Sequence, residues 1–457
     1  MRGFDIGSSK FFNSYHRLDH YRAGVIDIME MGSPVVLLSA FGRGHWLAAA
    51  LAQEGIKTTL IDVTSKLGVW PSEDVEGPFG FFRTDRISES KMERIYADDP
   101  FAESVNGFTV WLKEGPIEFK GPLTRFKLEK SSLTSEAIAA ILEGSQNKLS
   151  RNVQQQSFSE SWLIDLAHQW ASTTYVPSAK GYTRGRALPL AGSFFVRGAT
   201  RAGLEKSLKW LEGKGVEVIR PQEIFDISFG QNKTINGIEL RGEMQGLWHT
   251  EQMVWMLSSE ETYFLNEKIG KYFFPEGALE SEWCWVRYRV GLQECFERNS
   301  LPLHTLVIED VYSPWTHENF MVLQRTAVDD QFDVWMRIPT VQRFNKEYLT
   351  LRSVRMAEHL TARMPLTEPQ VLSYPQEYYY TYAQLGAPRF AVFGENQSHQ
   401  RALAKFKNIY LDGPEVWTQY AWEAYFESHQ EVRGRIVSWW KDKLLREQKE
   451  KRKEQNS

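Results

Sequence analysis

Between Pro34 and Trp70 the chain carries two features suited to holding a dinucleotide: a glycine-bearing turn leading into a helix, and an acid closing the next strand. Glycine lets backbone approach phosphate oxygens, a helix N-terminus favours their negative charge, and a carboxylate accepts hydrogen bonds from a ribose. With the helix end fixed at Gly55, the three glycine positions of a G-x-G-x-x-G fingerprint fall on Ser39, Phe41 and Gly44. Asp62 then stands at the acid position, about twenty residues on. Read literally, Gly42-Arg43-Gly44 followed by Leu47 keeps two glycines but displaces the acid and lengthens the strand. The first register is preferred because strand, helix and acid fit it without a gap. It makes Ser39, Phe41, Gly42, Gly44 and Asp62 the candidate ligand-contacting residues, with Phe41 filling space that the second glycine normally leaves open.

The elements that must position these residues are legible in the same stretch. PVVLLS is an apolar strand, HWLAAALAQEG an alanine-rich helix stopped by glycine, and KTTLID a second strand. Residues 71 to 130 mix Gly-Pro turns with short apolar runs, and residues 131 to 176 read as helices, SLTSEAIAAILEG opening on a Ser/Thr cap. From Ser193 a glycine-containing turn leads to an amphipathic helix, the strand VEVI, a hairpin around Gln231-Asn232 and the strand INGIEL. Residues 280 to 340 hold WCWVRYRVGL, HTLVIED, NFMVLQRTAV and FDVWMRIP, whose alternation predicts an antiparallel sheet with one covered face. A helix KEYLTLRSVRMAEHLTARM follows, and a strand, turn and helix close the chain.

With 457 residues, 42% of them hydrophobic, the chain can bury the cores of two or three lobes. Its net charge of -4 gives no general attraction to nucleic acid or an anionic membrane. Cys284 and Cys295 are too few for a disulfide framework, and no Cys/His cluster has metal-ligand spacing; His16 and His20 lack a third ligand. No apolar signal region or transmembrane window is found, so the expectation is a cytoplasmic protein. Nucleophile elbow, P-loop and zinc motifs are missing, and no catalytic residue is assigned. Tyr378, Tyr379, Tyr380 and Tyr382 fit strand packing better than a cavity wall. The final KDKLLREQKEKRKEQNS, residues 441–457, reads as a charged, solvated helix end.

Three separated segments resemble the flavin-dependent amine oxidase and phytoene desaturase superfamily. In the first, Leu67-Gly68-Val69-Trp70 sits where that superfamily has L-G-G-R. The second is GATRAGLEKSLKWLEGKGVEVIRPQEIFDI with INGIEL, similar to its G-G-x-x-x-L…L-x-x-x-G-V-E-I…G-V-x-L element. In the third, Tyr410-Leu411-Asp412-Gly413-Pro414-Glu415 resembles a strand ending in A-G-x-E, and Glu423 to Ser428 resembles E-G-A-V-E-S. The resemblance implies an α/β protein with a discontinuous FAD-binding Rossmann-like domain (residues 1–85, 190–260 and 390–440) built on a parallel sheet. An α+β substrate-type domain (86–189 and 261–389) would contain the antiparallel sheet. FAD would lie against the first-segment residues and Gly68, with Gly413 and Glu415 near its pyrophosphate and ribityl chain.

The chain departs from this pattern where the superfamily packs FAD. Ser39 and Phe41 replace glycines, Val69 and Trp70 replace a glycine and an arginine, and Ala424 and Tyr425 replace small residues at the closing helix. Two functions follow from the resemblance. One is an FAD-dependent oxidoreductase passing a hydride from an amine or apolar organic substrate to flavin. The other is a flavin-less relative that binds a protein partner or acts as a scaffold, as Rab GDP-dissociation inhibitors do. On steric grounds Phe41 and Trp70 should narrow the cleft, Gly42 letting the Phe41 ring swing aside to leave it open.

Overall fold

A computed structural model describes residues 31–67, 80–83, 102–105, 107–112, 115–120, 194–197, 201–221, 223–231, 233–242, 245–278, 283–292, 304–309, 320–325, 331–363, 369–373, 406–413 and 421–455. The first described elements are β1 (Met31–Ser39), α1 (His45–Gln53) and β2 (Thr58–Asp62). Val35 to Leu38 and all of β2 are buried, as expected of strands covered on both faces. α1 stops because Gly55 takes φ 76°, allowing Gly55 N–H to reach Ala52 O at 3.0 Å and Ile56 N–H to reach Leu51 O at 3.1 Å. The helix Arg201–Gly213 ends in the same way at Gly215, with Val216 N–H donating to Leu211 O at 3.1 Å. The sequence motif E-G-I / K-G-V thus encodes both stops.

β1 lies between β2 and the long strand Gly246–Trp255, and pairs parallel with both. β2 in turn pairs parallel with Glu217–Ile219, and Trp255 pairs with Leu411 of the parallel strand Ile409–Leu411. The long strand therefore serves two partners on one edge. Its beginning is antiparallel to Ile235–Arg241, which forms a hairpin with Glu223–Phe229, and its end receives Ile409–Leu411. Segments distant in sequence thereby share one seven-stranded sheet. One face carries α1 and the helices Arg201–Gly213 and Ala421–Gln455 over a core including Trp46, Leu208, Val254, Met256 and Ile436. The other carries Val36, Leu38, Ile61, Ile238, Trp255 and Phe273.

A second seven-stranded sheet runs Pro369–Ser373, Trp283–Leu292, Gln331–Pro339, Phe320–Arg325, His304–Ile308, Gly107–Leu112, Gly115–Lys120. All its neighbours are antiparallel except His304–Ile308 with Gly107–Leu112. The helix Lys346–Arg363 covers one face, packing Leu349, Met356 and Leu360 on Val286, Tyr288, Val334 and Met336. The mixed parallel-containing sheet and the separate antiparallel sheet are the α/β architecture anticipated from sequence. A third sheet joins Gly80–Arg83, Phe194–Arg197 and Ala102–Val105. The closing helix runs unbroken from Ala421 to Gln455, through most of the charged terminal segment. The expected helices at 131 to 176, and His16, His20, Cys295 and Tyr378 to Tyr382, lie outside the described residues.

Candidate functional site

In open α/β sheets ligands bind beyond the carboxyl ends of the parallel strands. Here Ser39 pairs with Asp62, Leu38 with Trp255 and Trp255 with Leu411, so Ser39, Asp62, Met256 and Asp412 share that edge. Ser39, Phe41, Gly42, Gly44, Asp62 and Gly413 belong to this edge and the turns that follow it. Gly68 and Glu415, with Val69 and Trp70, lie outside the described residues.

The turn before α1 has an unusual backbone. Phe41, Gly42 and Gly44 have φ values of 53°, 75° and 80°, and the helix starts only at His45. Left-handed conformations are costly for a residue with a Cβ, so Phe41 must be held by its surroundings. Its N–H donates to Thr64 Oγ1 at 2.7 Å, and the Thr64 hydroxyl donates to Asp62 Oδ1 at 2.5 Å. Thr64 N–H also reaches Asp62 Oδ1, at 3.3 Å. The Phe41 side chain is buried with Val36, Leu38, Ile61 and Leu257, on the sheet face opposite α1. The ring therefore does swing away from the helix, as its glycine neighbour allows, and packs on the sheet. Ser39 to Trp46 are all buried.

Arg43 also holds this turn. The Ser39 hydroxyl donates to Arg43 O, Arg43 Nε donates to Ala40 O at 3.0 Å, and Nη2 reaches both Glu261 oxygens at 2.7 Å. Glu261 is also the third residue of a capping box: Ser258 Oγ accepts from Glu261 N–H at 3.1 Å and Glu261 Oε2 accepts from Ser258 N–H at 2.8 Å. The guanidinium thus ties the α1 turn to the start of the helix Ser259–Leu265. Arg43 Nη1 is buried without a hydrogen-bond partner.

Gly44 and Gly413 are positions where a side chain has no room. A Cβ on Gly44 would overlap Met256 Sδ, and one on Gly413 would stand 2.7 Å from Leu257 O. Both glycines bring chain ends against the end of Gly246–Trp255. That requirement exists without any ligand.

Burial holds the Asp62 carboxyl above the ordinary carboxylate range, outweighing its hydrogen bonds from Thr64 and the charge of Arg220. The folded protein therefore binds more protons than the unfolded chain once pH passes the ordinary value, and stability falls as pH rises through the raised one. Asp62→Asn keeps an acceptor for Thr64 and cannot ionise. It should raise the melting temperature at neutral pH and flatten this decline; a lowered midpoint at neutral pH would show instead that the ionised form stabilises the fold.

Among the described residues, two groups that an FAD cradle would use are engaged within the chain itself. The Phe41 N–H, at the position of the second fingerprint glycine, is already taken by Thr64 Oγ1. Asp62 Oδ1 accepts from the same threonine.

Sequence reading did not single out Thr64, Arg43, Glu261 or the pair at the last parallel strand. There His429 Nδ1 lies 2.7 Å from Asp412 Oδ2 with both side chains fully buried, and Ser428 Oγ donates to Asp412 Oδ1 at 2.5 Å. Asp412 N–H donates to Trp255 O at 2.9 Å, so the closing helix is fastened through Asp412 to the sheet. The Ser258-x-x-Glu261 spacing is a readable cap signal; its arginine partner, 218 residues away, has none.

Among the described residues no group of three His, Cys, Asp or Glu is placed to hold a metal, and no helix is long and apolar enough to cross a membrane.

The sequence matches no protein-family profile and no curated protein. Among solved structures, an oxidoreductase from Methanosarcina mazei superposes with TM-score 0.52 at 13% identity, over 87% of this chain and 99% of the other. p-Nitrophenol 4-monooxygenase from Pseudomonas putida gives TM-score 0.44 at 11% identity, over 91% of this chain and 82% of its own. A geranylgeranyl bacteriochlorophyll reductase-like protein from Thermoplasma acidophilum gives 0.44 at 9%, over 92% and 84%. The first match carries the comparison, and at its identity what is shared is architecture. The chain has the FAD/NAD(P)-binding Rossmann-like fold seen in oxidoreductases, a level coarser than the amine oxidase and phytoene desaturase resemblance.

Proposed function

We propose that this chain is a flavin-free relative of the oxidoreductase fold that works as a binding or scaffold protein. The observation that carries this reading is the hydrogen-bond chain from Phe41 N–H through Thr64 to Asp62, in which the chain's own groups take the contacts that pyrophosphate and ribose would take. Loss of the cradle is compatible with the intact fold, because the left-handed backbone and the Met256 contact at Gly44, and the approach of Leu257 O at Gly413, call for glycine without a ligand.

A second reading, an FAD-dependent oxidoreductase acting on an organic substrate, is favoured by Arg43 Nη1. It is a buried donor lacking an acceptor, which a phosphate oxygen would supply. Absorbance of the purified protein and calorimetric titration with FAD separate the two. The expected result is a colourless protein that takes up no FAD. A yellow protein releasing FAD on denaturation, or FAD binding weakened by about 1.5–3 kcal/mol in Asp62→Ala, would establish the second reading.

A further inference from the structure

Next to the hairpin of the first sheet, three aromatic side chains meet at the surface. Phe229 and Tyr272 are 41% and 49% exposed, and their ring centroids lie 4.5 Å apart. Phe406, half-buried, stacks on Phe229 at 5.8 Å and lies 5.6 Å from Tyr272. Beneath them Phe273, fully buried, contacts Tyr272 and Phe406 edge-on and roots the patch in the core. Fold stability alone gives no reason to leave three stacked rings half in water.

The patch is held rigidly. Phe229 ends one hairpin strand, and Gly230 N–H donates to Thr234 O at 2.8 Å across the turn. Asn408, buried, exchanges two hydrogen bonds with the backbone of Ile235, at 2.8 and 2.7 Å, and donates to Glu251 O at 3.0 Å. It thereby locks the segment bearing Phe406 and Lys407 against the hairpin, and Lys407 N–H donates to Lys233 O at 3.1 Å. A surface ordered in advance binds without the cost of ordering it.

Lys268 is paired with Asp226 and Lys271 with Glu267, so those four charges cancel. Lys233 and Lys407, both exposed and brought together through their backbones, have no ion-pair partner among the described residues.

We propose that Phe229, Tyr272 and Phe406, flanked by Lys233 and Lys407, form a docking surface for an acidic segment of another protein that carries an aromatic or aliphatic anchor. The rings supply a desolvated centre and the lysines a complementary rim. An anionic membrane fits less well, because the chain carries a net charge of -4. The inference rests on the binding-protein reading and specifies its partner class.

The test is selection of a random peptide display library on the full chain, followed by anisotropy titrations with the enriched peptide. Enriched sequences should combine Asp or Glu with an aromatic or large aliphatic residue. Tyr272→Ser should weaken the peptide by about tenfold or more, as for a central contact residue. Lys233→Glu with Lys407→Glu, exposed changes that leave the core untouched, should weaken it severalfold and reduce its salt dependence. Enrichment lacking acidic residues, binding indifferent to both variants, no enrichment at all, or binding only to vesicles containing phosphatidylserine would each overturn the proposal. FAD uptake measured on the same preparation keeps the two readings separable. A yellow protein that still binds the peptide would refute the flavin-free reading alone; a colourless one that binds no peptide would refute this surface alone.

Discussion

Glu261→Ala is expected to lower folding stability by about 3–5 kcal/mol, because it leaves the fully buried Arg43 guanidinium without its carboxylate. The same change removes one half of the capping box at Ser258, which adds to the loss. Urea denaturation measures this directly. Replacing both members, Arg43→Met with Glu261→Met, should cost far less than Glu261→Ala alone, since no buried charge is then left unpaired. A loss below about 1 kcal/mol for Glu261→Ala would mean that water reaches Arg43 and that the turn before α1 is open. The outcome therefore bears on the proposed function as well as on stability: a stapled turn is a closed cradle.

Gly44→Ala is expected to destabilise by roughly 2–4 kcal/mol, the sum of a left-handed alanine and an overpacked Met256. Met256 is fully buried, so its sulfur has little space into which to retreat from the new methyl group. Met256→Val shortens that side chain, and the double variant should lose less than the two single losses added together, because the residues touch. Thermal melting of the three variants reads the coupling. Strict additivity would show that backbone conformation, and not contact with Met256, sets the need for glycine.

The local elements were legible because their signals are local. The run Val35 to Leu38 is apolar at every position, which marks a strand covered on both sides, and Gly55 and Gly215 follow their helices where a left-handed residue ends them. Asp62 was placed at the strand end by spacing, and it pairs there with Ser39. The antiparallel sheet came from alternation along Trp283–Leu292 and Gln331–Pro339. The function of the edge was less legible, because matching residue types to a fingerprint says nothing about which partner each will have. Thr64, two residues beyond Asp62, has an ordinary sequence context, yet it occupies both Phe41 N–H and the aspartate oxygen.

By itself, then, the sequence determined the β-α-β unit, the hairpin, the antiparallel strands and the two glycines that the packing requires, since periodicity, caps and turns act over a few residues. Tertiary structure alone decided that the turn before α1 is closed. That turn is held by Arg43 meeting Glu261 from 218 residues away and by Thr64 meeting Phe41 across 23 residues; likewise the closing helix is fastened by Asp412 meeting His429. It also decided that Phe229, Tyr272 and Phe406 share one surface. The physical reason is the same in each case: a buried polar group or an aromatic ring takes its partner from whatever the folded chain brings alongside, and that proximity is a property of the assembled sheets.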